Sequence, residues 1–171
     1  NLLEALSDRT VRWLARQKQR VARPGDLSVA SIHWGGNWGY AVPAEQQAFA
    51  RALIDDAGFD LIHGHSSHHV KGFEIHQGRL ILYGCGDFLN DYEGIGGYDA
   101  YRGDLSLMYF PLLDSRTGRL VSLRMVPMRT RRFRLEFAGP ADIEWLASML
   151  EREAGRFGSG VELHNGELRA G

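Results

Sequence analysis

The chain has 171 residues, 44% of them hydrophobic and 24% charged, a mixture that suits one compact core and excludes general disorder. Twenty Lys and Arg face 21 Asp and Glu, and the resulting net charge of −1 excludes a chain-wide electrostatic grip on nucleic acid. The single cysteine, Cys85, excludes an intrachain disulfide and a multi-thiolate zinc site, and no apolar run reaches the roughly 20 residues of a membrane-spanning helix.

Ser7 precedes an Asp-Arg-Thr turn, and Val11, Leu14 and Ala15 then recur at helical spacing, which predicts an N-capped amphipathic helix with a basic outer face, ending before Pro24 and Gly25. Residues 27–34 form a nearly continuous apolar run of the length of a buried strand, closed by Gly35 and Gly36. Pro43 suits a first helical turn, and Phe49, Ala50, Leu53 and Ile54 carry a helix to Ala57-Gly58; residues 59–62 read as a second short buried strand. This strand, glycine-rich loop, helix, strand order predicts a βαβ unit with parallel pairing, and it puts His33 and the segment 63–69 at the carboxyl ends of the two strands.

Residues 73–76, a Gln77-Gly78 turn and residues 80–83 read as a hairpin. Residues 105–113, 120–126 and 133–137 continue as antiparallel strands, 140–157 as an amphipathic helix, and 161–168 as a small terminal hairpin. The expected class is α/β, with mixed sheets and flanking helices.

Four of the seven histidines, His63, His65, His68 and His69, fall within seven residues, where composition alone places about 0.3. Neutral imidazole is a common ligand of Zn, Mn and Fe, and Gly64 would let the backbone turn so that two rings aim at one cation. A polar loop bonded to backbone and water, or a pH switch, are the other readings of the cluster. His33, projecting from a strand tip beside Trp34-Gly35-Gly36-Asn37, is either a satisfied core histidine or a partner converging on the same site. Trp34, Trp38 and Tyr40 could stack on a ligand or cover the glycine loop. Arg129, Arg131, Arg132 and Arg134 form a dense basic cluster, suited to an anionic ligand or to a solvated strand. Cys85, beside an apolar strand with no obvious base, reads as a small buried hydrophobe.

Three strings, Ser31-Ile32-His33-Trp34-Gly35, Gly64-His65-Ser66-Ser67-His68 and Leu80-Ile81-Leu82-Tyr83-Gly84-Cys85-Gly86-Asp87-Phe88, resemble in order and interval the bacterial capsule-synthesis CapA family, associated with poly-γ-glutamate biosynthesis and similar to calcineurin-like metallophosphoesterases. The resemblance runs through most of residues 1–171 as a single domain and implies part of a metallophosphoesterase-like αββα sandwich. It implies His33, His65 and His68 as metal-binding, catalytic residues; a divalent metal, Mn, Fe or Zn, dinuclear in the complete domain; and metal-dependent hydrolysis.

The family's early Asp-containing and Asn-His motifs find no match before His33, where Asp8 and Asp26 stand alone, so the chain is expected to be a carboxyl-terminal portion lacking its amino-terminal part. On its own it should bind metal weakly and turn over little. Asn37 stands where relatives often carry Glu, and Asp87 where they often carry Asn; Asp87 and Asp91 could orient the imidazoles, supply an oxygen ligand, or simply cap a turn.

The expected partner is an anionic polymer or a phosphorylated small substrate, contacted by Asn37, Trp38, Arg131 and Arg132, with other capsule-synthesis proteins as further partners and no nucleic acid. The competing reading is a non-catalytic polymer-binding or assembly component, and a third is a structural remnant in which the histidines cap strand ends. The compartment stays open between cell envelope and cytoplasm.

Overall fold

A computed structural model describes residue 3, residues 5–90 and residues 95–171. The first helix, α1 (Asp8–Val21), begins as expected: the Ser7 hydroxyl accepts the Thr10 backbone N–H and fills one of the orphan donors of the first turn. Strand β1 (Val29–His33), helix α2 (Ala44–Asp55) and strand β2 (Leu61–His65) form the βαβ unit, with β1 and β2 adjacent and parallel. Strands β3 (Phe73–His76) and β4 (Arg79–Leu82) are the hairpin, turned by Gln77 and Gly78 at φ 50° and 79°, both left-handed as a two-residue hairpin turn requires. The order of this mixed sheet is β1-β2-β4-β3.

A second sheet contains β5 (Leu105–Leu113), β6 (Leu120–Arg131), β7 (Arg134–Phe137), β8 (Val161–His164) and β9 (Glu167–Ala170), all antiparallel. Between β7 and β8 lies α3 (Pro140–Gly155). Strand β6 outruns its expected end at Val126 and continues through Pro127 to Arg131. On one side of β6 the neighbour changes at this point, from β9 opposite Arg124 and Met125 to β7 opposite Met128 onward, so the N–H that proline lacks falls in the gap between partners.

Two cores lie on opposite faces of the first sheet. On one face Ala30, Ile32, Ile62 and Ile81 pack against Val11 of α1 and Phe49, Leu53 and Ile54 of α2. On the other, Leu61, Leu80, Leu82 and Phe73 pack against Leu105, Leu123 and Met125 of the second sheet and Leu146, Met149 and Leu150 of α3. The class is α/β, with two sheets and helices on their flanks. Among the described residues no helix is long and apolar enough to cross a membrane.

Candidate functional site

The alternation of β1 decides where the histidines point. Ala30 and Ile32 face the helices and are buried, so Val29, Ser31 and His33 take the opposite face, and all three are exposed. The parallel register pairs Val29 with Leu61, Ser31 with His63 and His33 with His65, which sets the histidines of both strands on that face. The second sheet covers this face over Leu61 and the strands beyond it, while the β1 margin stays open.

Two rings meet there. His33 and His65 lie edge-on with centroids 5.2 Å apart and planes at 69°, and His63 lies 5.5 Å from His65. The Ser31 hydroxyl is 2.9 Å from Nδ1 of His63 and holds that ring in place. Burial first, and then the neighbouring His65, lowers the pKa of His63; burial and then His33 lower that of His65. Both imidazoles are therefore neutral at neutral pH and carry a lone pair for a cation or a proton.

The expected turn at Gly64 is corrected: His63, Gly64 and His65 belong to strand β2, and the backbone departs at Ser66, φ 131°. Gly64 serves close packing instead. A Cβ there would collide with Nε1 of Trp34 and stand 2.6 Å from the Leu82 carbonyl oxygen and 2.8 Å from that of Tyr83. Trp34 fills this space as a core residue, its indole N–H donating to the Tyr83 carbonyl at 3.1 Å.

Beyond β2, the His68 backbone N–H donates to the Asn37 carbonyl at 3.0 Å, which ties the second histidine segment to the loop after β1. Nδ1 of His68 lies 3.0 and 3.1 Å from the two carboxylate oxygens of Asp87, and the Trp38 ring packs beside it at 5.5 Å. A carboxylate on Nδ1 fixes the orientation of the ring. Asp91, the other expected acceptor, falls outside the described residues. His69 is fully buried among Trp38, Tyr40 and Tyr101, and burial brings its pKa down to about 4, so it is a neutral core residue. Cys85 packs half-buried against the second core, and desolvation pushes its thiol up to about 12.

Trp38 stacks on Tyr98 at 4.3 Å and forms a wall of an open cavity of about 360 Å³, shared with Ile95, Asp99, Arg102 and Asp104. Arg102 and Arg129 both bridge Asp104 and Asp142. The sequence reading missed this four-residue ion cluster, because its members are scattered between positions 102 and 142 and share no local pattern. Arg131 and Arg132 sit at the exposed tip of the β6–β7 hairpin, which joins the cavity wall through the Thr130 N–H on the Asp104 carbonyl.

The structure thus brings together His33, His63 and His65, and separately His68, Asp87, Asn37 and Trp38. Donor type suits a divalent cation of the Mn, Fe or Zn class, because the imidazoles of His33 and His65 converge, while His68, held by Asp87, belongs to the other group. Donor number does not: among the described residues no three His, Cys, Asp or Glu are grouped to hold a metal.

Residues 3–92, which carry all of these histidines together with Asn37, Trp38 and Asp87, match the model of the family described as bacterial capsule synthesis protein PGA_cap. The chain belongs to that family. A probable polyglutamine synthesis accessory protein of Mycobacterium tuberculosis is 52% identical over 145 residues, 85% of this chain and 38% of that protein. The PGA biosynthesis protein CapA of Bacillus subtilis is 34% identical over 94 residues, 55% of this chain and 23% of its own, and the capsule biosynthesis protein CapA of Bacillus anthracis 29% over 113 residues, 66% and 26%. The chain therefore spans well under half the length of the curated relatives it matches. Arg131 and Arg132 lie beyond the segment that matches the family model.

Proposed function

We propose that this chain carries the histidine-bearing part of a CapA-type protein acting on an anionic capsule polymer of the poly-γ-glutamate kind, and that His33, His65 and His68 are its contribution to a divalent metal centre. The observation that carries this reading is the register pairing of His33 with His65, rings 5.2 Å apart on the open face of a parallel strand pair. It is supported by the His68–Asp87 pair beside the same loop, and by relatives whose names place them in capsule or polyglutamine synthesis.

In this reading the three imidazoles are ligands, and the remaining donors come from groups outside those described. A bound divalent cation would supply Lewis acidity toward a phosphoryl or carbonyl oxygen. The chain's own residues do the rest. Asp87 orients His68, Ser31 orients His63, Trp38 and the Asn37 segment wall the substrate side, and Arg131 and Arg132 face the anionic ligand.

Titrating Mn or Zn into the purified chain tests the proposal. Weak binding lost in His33→Ala and His65→Ala, with little hydrolysis of phosphodiester or amide substrates, is the expected result. Brisk metal-dependent hydrolysis by these 171 residues alone would contradict the reading that His33, His65 and His68 are only part of the centre.

A second reading, a non-catalytic polymer-binding or assembly component, is favoured by the word accessory in the name of the mycobacterial relative. A longer protein that carries no stoichiometric metal, and in which His68→Ala alters polymer affinity but no hydrolysis, would favour it.

A further inference from the structure

Helix α1 carries Arg9, Arg12, Arg16 and Arg20, all exposed, at intervals of three, four and four residues. That spacing places the four guanidinium groups on one helical face, in a row about 16 Å long at 1.5 Å rise per residue. The region is unusual in charge as well as in pattern. Residues 9–23 hold six Lys and Arg and no acid, whereas the rest of the chain holds fourteen against 21, a net of −7. Among the described residues none of the four arginines has a carboxylate within ion-pair distance, although other arginines of the fold are paired.

Such a row is unfavourable in the free chain. Like charges one turn apart repel, and Arg9 and Arg12 stand at the positive end of the helix dipole. An anionic partner removes both costs.

Resting on the polymer reading of the function, we propose that this face of α1 is a docking track for a linear polycarboxylate, separate from the histidine site and on the opposite side of the first sheet. Three observations choose this occupant over an anionic membrane. The apolar side of α1 is already spent, with Val11 buried and Leu14 and Ala15 packed on the core against α2, so the helix has no apolar face to insert. Lys18, the cation that points away from the row, is committed to the Gly58 carbonyl. All four cations of the row are arginines, whose planar forks match carboxylates two bonds at a time. A row of evenly spaced guanidinium groups complements a chain that bears one carboxylate per residue.

The test uses the chain as it stands, fluorescently labelled poly-γ-glutamate, and anisotropy at low and physiological salt. The variant Arg9→Gln/Arg12→Gln/Arg16→Gln/Arg20→Gln keeps good helix formers at exposed positions, and circular dichroism checks its fold. The expected loss is about 30-fold in affinity, since each of four exposed charge-assisted contacts contributes up to severalfold. Binding should also weaken steeply with salt for the parent chain and shallowly for the variant. If the fourfold variant does not fold, Arg12→Gln/Arg16→Gln replaces it, with a loss of about 5-fold expected on the same basis.

The proposal fails if the variant binds the polymer as tightly as the parent, if the parent does not bind it, or if vesicles of phosphatidylglycerol or duplex DNA bind the parent as well as the polymer does. His33→Ala/His65→Ala separates the two readings. Unchanged polymer affinity in that variant leaves the track standing even where the metal proposal falls, and loss of the track leaves metal binding untouched.

Discussion

His33 and His65 are register partners on adjacent parallel strands, and their rings meet edge to face 5.2 Å apart on the side of the sheet that the second sheet leaves open. The pairing follows from alternation. Because Ala30 and Ile32 must face α1 and α2, His33 cannot, and the parallel register carries His65 to the same side.

Gly64 is the position on which this arrangement most depends. Gly64→Ala would drive a methyl group against Trp34 and two backbone carbonyls, so a loss of about 3 kcal/mol is expected from overpacking. Urea unfolding followed by tryptophan fluorescence measures it, and a loss below about 1 kcal/mol would show that β2 can shift to make room.

Asp87 holds Nδ1 of His68. Asp87→Asn should weaken Zn or Mn binding by about 10-fold, the usual effect of removing a carboxylate that orients a ligating imidazole. Metal titration of the two proteins side by side reads the change, with unfolding midpoints as the control for fold.

Asp104 gives a pH signature. Burial alone would raise its pKa, but the Arg102 hydrogen bond and the charges of Arg102 and Arg129 overcome this and hold the carboxyl below its usual range. An acid whose folded pKa is depressed adds stability above its unfolded value, and that stability disappears as pH falls through the folded value. Asp104→Asn should therefore cost about 2 kcal/mol at pH 7, and the gap between parent and variant should close in the acid range below the ordinary carboxylate pKa. A gap that persists unchanged into strong acid would assign the cost to packing.

The β6–β7 turn is strained. Arg132 and Phe133 both occupy left-handed backbone, φ 51° and 57°, where Asn and Gly are at ease. Replacing the pair by Asn-Gly should raise stability by about 1–2 kcal/mol, read as a shift in the urea midpoint.

Where side-chain period, caps and breakers agree, sequence reading and structure coincide. Ser7 caps α1, Gln77-Gly78 turns the β3–β4 hairpin, Pro140 opens α3, and the strand from Leu105 to Leu113 lies where the pattern placed it. The differences have physical causes. His-Gly-His reads as a loop because histidine and glycine are poor strand formers, yet these residues complete β2 through its pairing with β1 and through space that only glycine allows beside Trp34. Pro127 reads as a strand end, but a change of neighbouring strand removes its cost. At the site, clustering in the chain exposed His65 and His68 and the strand tip exposed His33. Nothing local announced that His69 is core, that Ser31 holds His63, or that Asp104 and Asp142 share two arginines.

The most direct measurement follows the histidine side-chain resonances by NMR while Zn is added to the chain. His33, His65 and His68 should move together along one saturation curve, with His76, held by Asp55, and exposed His164 responding only at much higher concentration. Independent curves for His33 and His65, or a uniform response of all the histidines, would contradict a shared cation site.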